Sequence, residues 1–126
     1  GLIVPVVKRA DRLSLMEASE TLNGLVEAAR QNRLTREDVQ GGTFTITNHG
    51  VSGSLLATPV INQPQAAILG IGKTEKRVVV DDTDGFDSIQ VRPMAYVTLT
   101  IDHRILDGFQ ANQFLADFVS EIENWK

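Results

Sequence analysis

The sequence predicts an α+β fold, a two-layer sandwich in which helices cover one face of a largely antiparallel or mixed sheet. Two long stretches carry apolar residues at helical spacing, and several strand-like stretches cluster between them. No internal repeat, low-complexity tract or linker interrupts the 126 residues. A chain of this length forms one domain of modest size with a real but limited core.

The first part of the chain predicts one strand and the clearest helix. Residues 2–7 form an apolar run that predicts a strand, and Pro5, which has no ladder donor, assigns that strand to an edge or an interface. Ser14 and Glu17 form a capping box, from which we expect a helix to about Gln31. Its apolar face comprises Leu15, Ala18, Leu22, Leu25, Val26 and Ala29.

The middle of the chain is predicted to be mostly strands. Residues 35–38 repeat the capping pattern over a short helical turn, and the alternation of residues 43–47 predicts a strand that enters a polar loop. Pro59 and Pro64 keep residues 57–65 irregular or extended. Further strands are expected over residues 66–71, 76–80 and 88–92, with a hairpin turn at residues 81–85.

The last part of the chain contains the clearest chemical signal. Residues 96–101 alternate as a strand, and continuing the alternation places His103 on its apolar face. Asp107 then opens a helix whose apolar stripe comprises Ala111, Phe114, Leu115, Phe118, Val119 and Ile122. A titratable imidazole therefore lies at a strand-to-helix corner, with a carboxylate four residues later.

Composition excludes several classes of function. The net charge is −4, from 12 Lys and Arg against 16 Asp and Glu, and no basic block is present, so we expect no nucleic-acid partner. No apolar stretch is long enough to cross a membrane, and we expect no membrane partner. The absence of cysteine excludes disulfides, a thiol nucleophile and cysteine-ligated metals, and it suits a reducing compartment.

Two short motifs resemble ligand-binding loops but lack essential parts. Residues 72–74 match the end of a phosphate-binding loop, yet Ala67 occupies the position of its first glycine and strand-forming residues follow. The acidic residues 81–85 match part of a calcium loop, but Val80 and Val91 occupy the positions of the first and last carboxylates. We therefore expect a solvated hairpin tip there.

The remaining polar residues each have a simple structural interpretation. Residues 52–54 lack the glycine spacing of a nucleophile elbow, and His49 and His103 are not part of a ligand-spaced cluster, so we expect no metal. Without further information, His103 is a hydrogen-bonded histidine at a strand end and His49 a loop residue without chemistry. Asp107 fits a helix N-cap, and Thr47 fits a cross-strand or capping hydroxyl.

Two stretches resemble signatures of one enzyme family. Residues 102–108 resemble the His-x-x-x-Asp-Gly signature of the dihydrolipoyl acyltransferases, the core subunits of 2-oxo acid dehydrogenase complexes. Residues 42–48 and 58–70 look like the second long signature of that family. Because both occur in the expected order and separation, and the similarity runs over essentially the whole chain, the resemblance is highly specific.

The resemblance implies a fold and an assembly. The family has the fold of chloramphenicol acetyltransferase and forms trimers that build larger cores. Residues 1–126 are expected to be the C-terminal portion of the catalytic domain, without the lipoyl and peripheral-subunit-binding domains. Through those domains, the partners would be the 2-oxo acid dehydrogenase and dihydrolipoamide dehydrogenase components, in bacterial cytoplasm or the mitochondrial matrix.

The resemblance also implies a reaction and a role for three residues. An acyl group moves between the dihydrolipoyl arm, carried on a domain not in this chain, and the substrate coenzyme A. By position, His103 matches the catalytic histidine, Thr47 the hydroxyl that supports the oxyanion, and Asp107 the signature carboxylate. In relatives the histidine and the hydroxyl come from adjacent subunits of the trimer.

The chemistry of these residue types agrees with that reaction. A thiol has a usual pKa of about 8.5 and is mostly protonated at neutral pH, so it needs a base such as a neutral imidazole. The corner position of Asp107 suits bonding to backbone amides or to an arginine, which favours fixing local geometry over proton transfer.

Two other functions and the acyl group stay open. A non-catalytic core subunit is disfavoured because His103 and Asp107 are both retained. A stand-alone acetyltransferase of the chloramphenicol type is disfavoured by the match over residues 42–70. The acyl group could be acetyl, succinyl or branched-chain, and Thr47 followed by Asn48 resembles succinyl-transferring members.

Overall fold

The computed structural model describes residues 2–83 and 85–125. The chain divides into two compact units, residues 1–43 and residues 44–126. The first unit contains helix α1 (Leu15–Arg30), with single 3-10 turns at Ala10–Arg12 and Glu37–Val39. The second unit contains β1 (Thr45–Asn48), β2 (Ala67–Ile71), β3 (Glu75–Asp81), β4 (Ser88–Met94), β5 (Val97–Ile101) and helix α2 (Gly108–Glu123).

Helix α1 begins where its capping box predicts. The Ser14 hydroxyl accepts a hydrogen bond from the Glu17 amide at 3.3 Å, and the Glu17 carboxylate accepts one from the Ser14 amide at 2.8 Å. These two bonds satisfy amides that have no partner inside the helix. The prediction of a helix from this cap to about Gln31 is confirmed, and Gln31 is the C-cap.

The prediction of a strand over residues 2–7 is wrong. These residues form no strand; the Val6 amide donates one hydrogen bond, to the Asp38 carbonyl at 2.7 Å. Apolar composition indicates that residues can enter a sheet but supplies no pairing strand, and Pro5 cannot donate to a ladder. The short helical turn near residues 35–38 is confirmed, since the Asp38 carboxylate accepts from the Thr35 amide at 2.7 Å.

The strands of the second unit form two sheets. Strands β1, β2 and β5 form a mixed sheet in the order β1-β2-β5, in which β1 is parallel and β5 antiparallel to β2. Strands β3 and β4 form a separate antiparallel hairpin. The prediction of an α+β fold with a mixed sheet is therefore confirmed, while β3 and β4 lie outside the sheet that the sequence assigned to all strands.

The mixed sheet has an apolar face and a hydroxyl face. Side chains on directly paired residues share a face, so the row Ile46, Leu69 and Leu99 lies opposite the row Thr47, Gly70 and Thr98. Leu69 is only 1% exposed and marks the centre of the core.

Helix α2 belongs to the second unit, in which its Phe114 ring lies 5.8 Å from that of Phe44. None of the helices that the structure describes is both long and apolar enough to span a bilayer.

Candidate active site

His103 lies in the tight turn between β5 and α2 and is exposed. Strand β5 ends at Ile101, and the amides of Ile105 and Leu106 donate to the Asp102 carbonyl at 2.9 and 3.0 Å. The chain therefore leaves the strand before His103, and the alternation that would place this residue on the apolar face does not extend to it. The backbone of the turn, not the pleat of the sheet, positions the imidazole.

Asp102, the residue before His103, bonds both the backbone and the side chain of Arg104 in this turn. The Asp102 carboxylate accepts from the Arg104 amide at 3.0 Å and from the Arg104 guanidinium through Nε at 2.9 Å and Nη2 at 2.6 Å. The Arg104 side chain and amide together lower the pKa of Asp102 to about 2. The Asp102 amide also donates to the Ala66 carbonyl at 2.8 Å, which ties the turn to the start of β2.

Asp107 is the N-cap of α2. Its carboxylate accepts from the Gln110 amide at 2.8 Å, and the Gln110 side chain accepts from the Asp107 amide at 3.0 Å. The predicted N-cap is confirmed. Of the two partners that the sequence left open for Asp107, it bonds a backbone amide, while the neighbouring Arg104 bonds Asp102.

Thr47 lies on β1, half-buried on the hydroxyl face of the mixed sheet. It is level with Gly70 on β2, which is level with Thr98 on β5. A side chain at Gly70 would meet the Thr98 hydroxyl at 2.6 Å and the Pro59 ring at 3.2 Å, so only glycine fits between these groups. The tight packing around Gly70 fixes the sheet next to Thr47.

Thr47 and the strand end that precedes His103 lie at different places on the mixed sheet. Ile101 is three residues beyond Thr98 along β5, and β5 is two strands from β1, which places Ile101 about 14 Å from Thr47. His103 follows Ile101 at that far end of the sheet. The register of the three strands thus separates Thr47 from the end of the sheet that His103 follows.

His49 lies directly after β1 and has an unusual environment. Both ring nitrogens are buried, and neither has a hydrogen-bonding partner among the described residues. Its amide donates to the Ile71 carbonyl at 3.1 Å, so the backbone is held while the imidazole is unsatisfied. Within residues 2–83 and 85–125, no three His, Cys, Asp or Glu side chains are grouped as metal ligands.

The two partial ligand-binding motifs, residues 72–74 and residues 81–85, lie beside or within the hairpin of β3 and β4. Residues 72–74 lead into strand β3, so no helix N-terminus follows to bind a phosphate. At the tip, the Asp81 carboxylate accepts from the Thr83 hydroxyl at 2.5 Å, the Thr83 amide at 3.1 Å and the Arg92 guanidinium. The first two bonds and Arg92 lower the pKa of Asp81 to about 2.

The structure adds two cavities that sequence reasoning missed. One, of about 200 Å³, adjoins the His103 turn and is lined by Ile61, residues 63–65, Asp102, Arg104 and Ile105. A larger one, of about 480 Å³, lies beside the hairpin and includes Arg77, whose guanidinium is 5.1 Å from the centre of the Tyr96 ring. The larger cavity contains none of the predicted site residues, and no local pattern in the sequence predicted either cavity.

Comparison with known proteins shows the family of the chain. The family model of the 2-oxoacid dehydrogenases acyltransferase (catalytic domain) matches residues 1–126. The chain is 48% identical over 124 residues to the dihydrolipoyllysine-residue succinyltransferase component of the 2-oxoglutarate dehydrogenase complex of Rickettsia bellii. That match covers 98% of this chain and 30% of the relative.

Solved structures agree with the sequence match. The dihydrolipoamide acetyltransferase of Azotobacter vinelandii is 35% identical with a TM-score of 0.89, over 98% of this chain and 49% of that one. The cubic core of a pyruvate dehydrogenase multienzyme complex is 34% identical with a TM-score of 0.89, again over 98% and 49%.

The chain thus spans about half the length of those solved structures and about a third of the curated relative. The family model nevertheless matches it from one end to the other, and the fold and both signatures agree with that match. The chain belongs to the 2-oxoacid dehydrogenase acyltransferase family, and the part of the family that it matches is the catalytic domain.

Proposed function

We propose that the protein containing this chain transfers an acyl group between a dihydrolipoyl arm and coenzyme A, with His103 as the general base. The observation that carries the proposal is the family match over the whole chain, combined with an exposed histidine in the turn that precedes α2. Asp107, four residues later, caps that helix. The Azotobacter vinelandii enzyme is described with catalytic roles for a serine, a histidine and an asparagine, the last two also four positions apart.

The reaction needs only one proton carrier. His103 removes the proton from the attacking thiol, and the thiolate forms a bond to the thioester carbonyl carbon. When the tetrahedral intermediate collapses, the bond to the original sulfur breaks and the imidazolium returns the proton to that leaving thiolate. No covalent acyl-enzyme is required, because both thiols meet in one ternary complex.

Thr47 is proposed as the donor to the oxyanion of that intermediate. Removal of one such donor typically slows a reaction on the order of a hundredfold or more. In the relative from Azotobacter vinelandii a serine has a catalytic role, and serine and threonine offer the same hydroxyl.

The active site is proposed to form between two copies of the chain. Support comes from the geometry of the sheet. Ile101, at the end of β5 that leads to His103, lies about 14 Å from Thr47. That distance is too long for both ends to reach one substrate carbonyl. A neighbouring copy brings its own Thr47 to the His103 of the first. Trimers satisfy this arrangement around a closed ring, and they would be the units of a larger core.

Succinyl is the proposed acyl group. The chain is 48% identical to a succinyltransferase component, against 41% and 35% to two acetyltransferases, and Thr47 is followed by Asn48. The lipoyl and peripheral-subunit-binding domains, and through them the two dehydrogenase components, are proposed to belong to the same protein outside this chain. Exposed apolar side chains such as Ile46, Ile89 and Phe109, each more than 60% accessible, support contact with further protein.

Transfer assays on the complete, assembled protein test this proposal. Wild type and His103→Ala are given succinyl-, acetyl- and isobutyryl-coenzyme A with free dihydrolipoamide, and sedimentation measures the assembly of each. We expect succinyl-coenzyme A to be the best donor, and His103→Ala to lose about a hundredfold or more in kcat while assembling normally. Absence of turnover with every donor in a fully assembled wild type would instead favour the non-catalytic core subunit.

A further inference from the structure

We propose that Asp102 is a positioning residue for His103, acting through its hydrogen bond to the Arg104 amide; the proposal rests on the function proposed above. Asp102 is the residue directly before His103, and its side chain is only 16% exposed. No signature role is assigned to it by the motif that includes His103 and Asp107. The proposed role of Asp102 follows from the hydrogen bonds that hold the turn.

Asp102 makes hydrogen bonds through its side chain, its carbonyl and its amide. Its carboxylate bonds the amide two residues ahead at 3.0 Å, which is the geometry of an Asx-turn. Its carbonyl accepts from the amides of Ile105 and Leu106, and its own amide donates to Ala66 on the neighbouring segment. The backbone on both sides of His103 is therefore anchored to this one residue.

The imidazole depends on that backbone. His103 is exposed, so packing does not fix its ring. A displacement of about 1 Å in a reacting group can cost on the order of a hundredfold in rate. A general base on an exposed turn thus needs the turn itself to be held in one conformation.

The two kinds of bond made by the Asp102 carboxylate are expected to differ in importance. The Arg104 side chain is 83% exposed, and ion pairs with an exposed partner contribute little to stability. The bond to the Arg104 amide defines the path of the backbone and is independent of the guanidinium. We therefore expect that the amide bond, more than the ion pair, keeps His103 in place.

Three substitutions separate these contributions in the complete, assembled protein. Asp102→Ala removes both kinds of bond, Asp102→Asn keeps an oxygen that can accept from the Arg104 amide, and Arg104→Ala keeps the amide bond but removes the ion pair. We expect Asp102→Ala to lower kcat on the order of tenfold or more, with KM for both substrates within about twofold of wild type. Asp102→Asn and Arg104→Ala are expected to stay within about threefold of wild-type kcat.

Asp81→Ala is the matched control. Asp81 also accepts from the amide two residues ahead and from an arginine, and its pKa is also lowered to about 2, but it lies at the tip of the hairpin. Its loss likewise removes a bond to a backbone amide and an ion pair, but away from the His103 turn. We expect unchanged kcat per assembled protein.

The outcomes distinguish this inference from the proposed function. If wild type turns over and Asp102→Ala keeps its kcat within twofold, or loses no more than Asp81→Ala, the positioning role is refuted while the acyltransferase proposal stands. Equal losses in Asp102→Asn and Asp102→Ala would also refute it, since the carboxylate charge would then be the essential property. A wild type without turnover overturns both.

A further variant covers the case in which Asp102→Ala does not assemble. Asp102→Ser makes the same local bond more weakly. Its kcat must fall below that of Asp102→Asn with KM unchanged, and equal kcat values for the serine and asparagine variants would contradict the role.

Discussion

At the scale of single residues, the proposed catalytic groups are held by backbone that their neighbours fix. Thr47 lies in a strand row in which only glycine fits at position 70, and His103 lies in a turn anchored by Asp102. Neither group depends on the other within one chain. Substitutions at each should therefore alter the chemistry before they alter the fold.

Thr47→Val is expected to lower kcat about a hundredfold, because valine keeps the branched shape on β1 but offers no donor to the oxyanion. The measurement is kcat at saturating coenzyme A substrate and dihydrolipoamide. Thr47→Ser, which keeps the hydroxyl, should retain most of the activity. A valine variant as fast as the serine variant would exclude Thr47 from the reaction.

His49→Leu is expected to leave the free energy of unfolding unchanged or to raise it by about 1 kcal/mol, because the two unpaired ring nitrogens are buried. Thermal unfolding of the assembled protein measures this. His103→Leu is the control, since His103 is exposed and leucine gains nothing there by removing polar atoms. A His49→Leu variant that unfolds well below wild type would reveal a partner for the imidazole in the assembly.

At the scale of secondary-structure elements, the two helices offer a matched pair of caps. Helices α1 and α2 are both 16 residues long and begin with complete capping boxes, at Ser14 and Asp107. Asp107→Ala and Ser14→Ala should each reduce stability by about 1 kcal/mol, seen as a lower unfolding temperature. Asp107→Asn should keep both the cap and the activity, because asparagine is an equally good N-cap.

The two caps are expected to differ in their effect on kcat. The N-terminus of α2 directly follows the His103 turn, whereas α1 belongs to the other unit. Asp107→Ala should therefore lower kcat, and Ser14→Ala should not. If Ser14→Ala lost as much kcat as Asp107→Ala, the effect of Asp107 would be one of general stability.

The hairpin of β3 and β4 is expected to weaken in acid. The pKa of Asp81 is lowered from its usual 3.8 to about 2 by the Thr83 hydroxyl and amide and by Arg92. A carboxyl whose pKa is lower in the folded state stabilises the fold above its unfolded pKa, and this stabilisation is lost as pH falls from about 4 to about 2. The unfolding temperature of Asp81→Asn should fall less steeply over that interval than that of wild type, with Asp82→Asn as the control for lost charge. Parallel curves for Asp81→Asn and wild type would contradict the bonding at the hairpin tip.

Local patterns predicted elements better than they predicted pairing. The capping boxes at Ser14 and Asp107 located both helices, because a cap is a contact between residues three apart. Residues 2–7 have the composition of a strand but no partner, and β3 and β4 pair with each other outside the mixed sheet. Alternation indicates which residues suit a strand, while the pairing depends on residues distant in the chain.

The candidate site was likewise predictable from local patterns only in part. Residue types and spacing indicated His103 and Asp107, and the resemblance to a family added Thr47 and supplied the roles of all three. The position of Thr47 relative to the His103 end of the sheet depends on the register of three strands, which no local pattern contains. The importance of Asp102 likewise follows from hydrogen bonds to Arg104 and to the segment before β2.

At the scale of the whole molecule, the buried apolar core is small and the exposed apolar surface is large. Among the described residues, only Ala67, Ile68 and Leu69 form a fully buried apolar core, while Val78, Val80, Ile89 and Val91 are each at least 64% exposed on the hairpin. Surfaces of this kind mark contacts with further protein. They support the proposal that the chain functions within a larger domain and a multi-copy assembly.

Complementation between two impaired variants shows whether the active site is shared by two copies of the chain. Thr47→Val chains keep His103, and His103→Ala chains keep Thr47. In trimers assembled from equal amounts of both, about one interface in four pairs an intact His103 with an intact Thr47. If the site is shared, co-assembled protein recovers about a quarter of wild-type acyl transfer, while each variant alone keeps about a hundredth or less. Mixed assemblies that form fully and remain as inactive as the single variants would show that the two residues do not act across copies.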